Sequence, residues 1–322
     1  MSKDDLEEVE VERYFVNVNN KRISKHPVQL DSIFKGRITV ARQNEPLKIE
    51  KDSDLIDWSK NESLLDKILK DRTTDSNILW ATDNYVERNG GRYAEDKHIT
   101  SDLILGDNID LIVPRAKKDK DIQKERTQKS AEVFTPSWIV DKQVMAVLEE
   151  FKDYKLDKFL ETTWMEITCG EAPYITSRYD MMSGEPIALS DRKGFIDRKF
   201  QRLNDDITVD SHRKWVNRAV KIYESSYGFE FQGDSLILAR MNLLYTFIEN
   251  HVERFNEKPS TYMIEKIIDI ITWNIFQMDG LKYTVPYAII DVDDGAENQV
   301  FAKLKDWKKD EVLFVKEMIE KE

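Results

Sequence analysis

From about residue 131 the chain alternates between stretches of helical period and short apolar runs, and three of those runs close on a carboxylate. Ile139 to Phe151 has the period of a helix, and Thr162 to Ile167 that of a strand holding Glu166. Trp215 to Tyr223 is again helical, and Tyr227 to Phe231 is a strand holding Glu230. Leu236 to Val252 predicts a strong amphipathic helix, with Leu236, Leu243, Leu244, Phe247 and Ile248 on one side. Ile264 to Ile271 predicts one more helix, and Asn274 to Gln277 a strand followed by Met278, Asp279 and Gly280. Strands separated by helices pair in parallel and are covered by those helices. In such sheets ligands gather at the carboxyl ends of the strands.

The preceding region reads differently. Asn61 to Leu69 places Leu64, Leu65, Ile68 and Leu69 on one helical stripe. Ile78 to Val86 reads as a second helix, stopped at Asn89-Gly90-Gly91. Leu103 to Leu105 and Ile109 to Val113 read as short strands around Gly106-Asp107-Asn108, and residues 28–57 mix β-like runs such as Gly36 to Ala41 with polar turns. Pro114 and the charged stretch after it suggest a boundary. The expected organisation is therefore a mixed α/β N-terminal region over 1–128 and a second domain over 129–322.

Charge narrows the partners. With 49 Lys and Arg against 61 Asp and Glu, the net charge is −12, which argues against nucleic-acid binding by the whole surface. The densest basic stretch holds Arg115, Lys117, Lys118, Lys120, Lys124, Arg126 and Lys129. It reads as a DNA-backbone contact or as a solvated charged connector, with the connector preferred. The single cysteine, Cys169, excludes an intrachain disulfide. His26, His98, His212 and His251 are scattered and show no zinc spacing, so no metal is expected. No apolar run approaches the roughly eighteen residues of a membrane-spanning helix. The acidic N-terminus lacks the apolar core of a secretory leader. A cytoplasmic protein without membrane contact is the expectation.

Four local features carry the chemistry. Phe134-Thr135-Pro136 precedes a helix, with Thr135 suited to cap it and Pro136 to its first turn. Glu166 to Tyr174 closes a strand and turns through Cys169 and Gly170, where small residues let backbone N–H groups approach a ligand. Glu230, in Tyr227-Gly228-Phe229-Glu230, can accept both hydroxyls of a ribose. Asp279 can accept a hydrogen bond from an adenine amino group. Each also has an ordinary structural reading: a helix start, a strand-to-helix turn, a strand-end acid, an Asp before a Gly turn.

Taken in order, Phe134-Thr135-Pro136, the turn at Cys169-Gly170, Gly228-Phe229-Glu230, Leu238-Ala239-Arg240-Met241-Asn242-Leu243-Leu244 and Asn274-Ile275 through Asp279-Gly280-Leu281 resemble the modification subunits of restriction–modification systems. Those are N6-adenine DNA methyltransferases of the class I, S-adenosylmethionine-dependent kind. The resemblance runs from Ile104 to Tyr287. It implies a Rossmann-like sheet with helices on both faces, S-adenosylmethionine as cofactor, double-stranded DNA as partner, and a restriction or specificity subunit in a phage-defence setting. Phe134, Thr135 and Pro136 would line the methionine end of the cofactor. Glu166, Cys169 and Gly170 would form the turn beneath it, Glu230 would hold the ribose, and Asp279 the adenine.

Adenine methylation by that family uses Asn or Asp followed by Pro-Pro and an aromatic ring that stacks on the flipped base. The chain has no Pro-Pro pair. The nearest substitutes are Tyr287, after Val285-Pro286, and the pair Asp306 and Trp307. Glu171, Ala172 and Pro173 stand where the family has a hydroxyl residue and two glycines. The alternative is a degenerate methyltransferase-fold module that binds DNA, a nucleotide or a partner protein.

Overall fold

The computed structural model describes residues 47–88, 91–130, 135–291 and 297–319. The run Gly36 to Ala41 and Phe134 lie outside them. The first helices are α1 (Asp52–Leu55), α2 (Glu62–Ile68), α3 (Ser101–Ile104) and α4 (Lys120–Ser130). Then come α5 (Ser137–Glu150), α6 (Leu156–Leu160), β1 (Trp164–Glu166), α7 (Phe195–Asp205), α8 (His212–Glu224) and β2 (Ser226–Glu230). The chain continues through α9 (Gly233–Phe255), α10 (Thr261–Asn274) and β3 (Ile275–Gln277). Two hairpins follow, β4 (Thr284–Asp291) with β5 (Glu297–Phe301) and β6 (Lys303–Asp306) with β7 (Glu311–Phe314), before α11 (Val315–Ile319).

The fold is mixed α/β around a small parallel sheet in the order β1-β2-β3. Trp164 pairs with Ser226 and Glu166 with Gly228, while Gly228 pairs with Ile275 and Glu230 with Gln277. The register brings the carboxyl ends of all three strands to one edge of the sheet. Among the described residues no helix is long and apolar enough to cross a membrane.

The central helix departs from the amphipathic expectation. From Gly233 to Val252 α9 is buried on nearly every side, and Asp234, Arg240, Asn242, Asn250 and His251 are buried along with its leucines and isoleucines. Polar side chains enter a core only with partners, and the N-terminal residues supply many of them. Arg240 donates to the carbonyls of Ile68, Lys70 and Ile275. The Trp58 indole donates to the Tyr245 hydroxyl. Gln277 brackets Leu79 by accepting its N–H and donating to its carbonyl. Gly233 opens α9 where a Cβ would stand 2.0 Å from the Leu79 carbonyl oxygen, so only glycine fits this approach. Residues on both sides of position 128 thus belong to one unit, Pro46–Glu322.

Several sequence expectations change. Ile78 to Val86 is not helical: Ile78 and Trp80 donate their N–H groups outward to Leu69 and Lys97, and Ala81 has φ 47. Leu103 to Leu105 and Ile109 to Val113 are not strands but a short helix, a single turn of 3-10 helix at Gly106–Asn108, and bends. A short apolar run cannot by its period distinguish a strand from a buried helix. The polar segment Met181 to Asp210 contains α7, whose Phe195, Ile196, Phe200 and Leu203 are buried. Its charged residues had hidden that stripe. One of them, Lys199, is itself buried, donating to the Thr162 carbonyl and the Ser225 hydroxyl.

The basic stretch is corrected most. It is neither a solvated connector nor a DNA-facing patch throughout, because Arg115 and Arg126 are each 2% exposed. Arg126 donates to Asp234, Gln232 and Ser235, and Lys118 reaches Asp234 at 2.6 Å. Two of the seven basic residues of this stretch, Lys118 and Arg126, therefore anchor it to the start of α9, while Arg115 binds α4 through the Gln123 carbonyl and the Thr127 hydroxyl. Lys117, Lys120 and Lys124 remain exposed.

Candidate functional site: a carboxylate-lined cavity at the strand ends

A cavity of about 1260 Å³ opens at the carboxyl ends of β1 and β2, and Thr135, Glu166, Cys169, Gly170, Glu230 and Tyr287 all line it. Its floor is the loop after β1. Thr168, Gly170 and Ala172 hold φ of 47, 54 and 61. A non-glycine residue in this left-handed region is strained, and such residues cluster at functional sites. A Cβ at Gly170 would meet open space, so glycine there serves the backbone conformation and not a close neighbour. Three bonds fix the loop. Cys169 N–H donates to the Phe229 carbonyl, Gly170 N–H to Glu230 Oε2 at 2.8 Å, and Ala172 N–H to the Cys169 carbonyl.

The two strand-end acids differ. Glu230 accepts from Gly170 and from Gln232 N–H at 3.1 Å. Glu230 also lines the cavity. Glu166 is 8% exposed and accepts N–H groups from Tyr174 at 3.3 Å and Ile175 at 3.0 Å. Burial pushes its carboxyl up to about 8, the two N–H groups oppose this, and the Glu230 charge adds to it. Glu166 is thus protonated at neutral pH and can donate a hydrogen bond. Burial likewise pushes the Cys169 thiol up, with Glu166 and Glu230 adding to it. Cys169 is a packed thiol and not a nucleophile.

The charge of the lining is one-sided. Asp83, Glu95, Glu171 and Glu230 line the cavity around the neutral Glu166, and among the described residues the one basic residue lining it is Arg115. The Arg115 guanidinium donates to the Gln123 carbonyl and the Thr127 hydroxyl. Glu171 accepts the Arg115 backbone N–H at 2.6 Å and the Tyr179 hydroxyl. Its carboxylate therefore braces the wall. Asn242 on α9 donates to the Glu171 carbonyl and to Tyr179 Oη. A cavity so lined favours a cation over a phosphate.

Tyr287 stands at the rim, 48% exposed, with φ 56. Its hydroxyl donates to Glu95 at 3.0 Å, and its ring meets Phe231 edge-on at 6.3 Å. Burial and the Glu95 bond push its hydroxyl up to about 12.

Other sequence-chosen residues lie elsewhere. Asp279 does not line the cavity: its carboxylate accepts from Leu281 and Lys282 N–H and closes its own turn. Asp306 does the same for Lys308 and Lys309 in the β6–β7 hairpin. The Trp307 indole donates to Asn274 Oδ1 at 2.7 Å, and its ring packs against the core. Pro136 is the N-cap of α5, one residue before the helix, in place of Thr135. Thr135 instead lines the cavity beside Tyr174. The sequence reading missed Asp83, Glu95 and Gln232. Only Gln232 had a local cue, the helix start at Gly233-Asp234-Ser235 just after a strand-end acid. Compared with protein-family models, with curated proteins and with solved structures, the chain matches none.

Proposed function

We propose that the cavity binds S-adenosylmethionine. On this reading the chain is an N6-adenine DNA methyltransferase, or the modification subunit of one, in a restriction–modification or phage-defence setting, and its sheet is half of a class I, Rossmann-like methyltransferase sheet. The observation that carries the reading is the set of acids around one cavity, with Glu166 and Glu230 at the ends of two parallel strands. A cationic sulfonium nucleoside fits that lining better than a nucleotide phosphate does. The volume exceeds the roughly 300–1,000 Å³ of common ligand sites, which leaves room for a base beside a cofactor. The ordered sequence phrases from Phe134 to Tyr287 support the same assignment.

Glu230 would hold the ribose hydroxyls, and the Gly170 loop with Thr135 and Tyr174 the methionine end. Protonated Glu166 would donate to the ligand from beneath. The cofactor supplies an electrophilic methyl group for transfer to adenine N6. Tyr287 is the one aromatic candidate at the rim, placed to stack on an extruded base. Partner binding has its own support: β1 is an edge strand among the described residues, and Trp138, Met145, Met165 and Ile167 are exposed on α5 and around β1. Open edges and exposed apolar side chains mark interaction surfaces.

A second reading, a binding module that has lost catalysis, is favoured by a specific observation. Asp279, Asp306 and Trp307 are all engaged in turns or core, and no Pro-Pro motif supplies the base acceptor. Calorimetric titration with S-adenosylmethionine, and with neutral-sulfur S-adenosylhomocysteine, separates the two. Saturable micromolar binding, about −8 kcal/mol, stronger for the sulfonium, is the expected result. Absence of binding to either ligand moves the assignment to the second reading.

A further inference from the structure

The opposite end of α9 carries a second cluster that the cavity does not use. His251 lies 18 residues beyond Gly233, about 27 Å along the helix at 1.5 Å per residue. The sequence shows no zinc spacing here, because His212 and His251 are 39 residues apart. Folding brings their Nε2 atoms to 3.0 Å. α9 ends at Asn256, whose left-handed φ of 53 reverses the chain and returns Glu257 to the pair. One ligand atom each from His212, His251 and Glu257 lie within 4.8 Å of one another.

The bonding fixes the chemistry of the buried imidazole. His251 Nδ1 stands 2.8 Å from the Glu257 carbonyl oxygen, which can only accept. Nδ1 is therefore the protonated nitrogen, and the Nε2 lone pair faces His212. An imidazole held by a carbonyl on one nitrogen and presenting the other is the arrangement that orients metal-binding histidines. Two nitrogens on one tetrahedral zinc ion, each at about 2.0–2.1 Å, stand about 3.3 Å apart, close to the spacing found. The Phe255 ring meets His212 at 4.8 Å and His251 at 5.0 Å, and Trp215 meets His251 at 5.7 Å. These rings exclude water from one side of the pair.

We infer that His212, His251 and Glu257 bind a borderline divalent metal ion of the zinc class, stapling the start of α8 to the end of α9. Two imidazoles and a carboxylate suit zinc and leave a fourth position for water or another ligand. The alternative is a plain His212–His251 hydrogen bond with no affinity for metal.

The test uses the full chain, stripped with a chelator, desalted, and then titrated with zinc chloride. Metal content after a second desalting should reach one equivalent, and the thermal midpoint should rise. Cobalt in place of zinc should give the visible absorption of a tetrahedral site. His212→Ala and Glu257→Ala should each lose at least tenfold in affinity and abolish the thermal shift, while keeping the helical circular dichroism. Both residues are exposed, so these variants avoid the folding risk of replacing buried His251. No retained metal and no thermal shift in the unmodified chain would overturn the inference, as would undiminished retention in His212→Ala.

Discussion

Glu166 and Asp234 are both buried carboxylates at the start or end of a core element, yet their surroundings give them opposite states. Asp234, in the first turn of α9, meets Lys118 at 2.6 Å and Arg126 at 2.7 Å. Burial would raise its carboxyl, but those two cations outweigh it and hold the group well below the usual carboxylate range. Glu166, at the end of β1, has only two backbone N–H donors and the charge of Glu230 nearby, and rises to about 8. Each carboxylate's surroundings suit it to its own end of the molecule. The seam between α4 and α9 uses a neutralised ion cluster to fix structure. The cavity keeps an acid without a cation, and shifted groups of that kind in a cleft are candidates for function.

The largest effect is expected at Asp234. Asp234→Ala removes the carboxylate shared by buried Arg126 and Lys118, and removal of one partner of such a cluster costs about 3–5 kcal/mol. Urea denaturation should show that loss, and a stability near that of the parent would mean the seam is not an ion-pair anchor. Next, Glu230→Ala should weaken S-adenosylmethionine by about 3 kcal/mol, or roughly a hundredfold, for the loss of two hydrogen bonds to a charged acceptor. Calorimetry reads this, with circular dichroism unchanged; wild-type affinity would remove Glu230 from the ribose role.

A smaller effect sharpens the contrast through pH. The folded chain holds the Glu166 proton up to about pH 8, whereas the unfolded chain releases it near the ordinary 4.5. The folded state therefore binds the extra proton between those values, and stability falls as pH rises through that window. The contribution is fully present below 4.5 and lost above about 8. Glu166→Gln should flatten the thermal midpoint between pH 5 and about 8, and an unchanged slope would refute the assignment. Asp234 acts in the other sense, adding stability above its ordinary 3.8 that is lost as pH falls. Last, Lys120→Ala and Lys124→Ala, on the exposed side of α4, should leave the denaturation midpoint where it is, unlike their buried neighbours.

Much of the parallel core was legible in the chain. The periods of Ile139 to Phe151, Leu236 to Val252 and Ile264 to Ile271 matched helices, and the strand-end acids Glu166 and Glu230 do meet at one cavity. Those features are local: a stripe of side chains, or a carboxylate closing a short apolar run. Asp279 matched the same pattern, but its Gly280 turn offered nearer donors than any ligand, and the carboxylate bonded Leu281 and Lys282 N–H. Residues 78–86 failed because their backbone partners, Leu69, Lys97 and Glu95, lie on other segments.

Periodicity and turn chemistry act over a few residues, so the amino-acid order alone placed α5, α8, α9 and α10, the three parallel strands and the acids Glu166 and Glu230 at the ends of two of them. It could not determine which charges go inside. Arg126 and Asp234 are 108 residues apart, Tyr287 and Glu95 192, and His212 and His251 39. Burial of a charged or hydrogen-bonding side chain is favourable only when a distant segment delivers its partner, so tertiary structure alone decided that a basic stretch became an anchor and two scattered histidines became a pair.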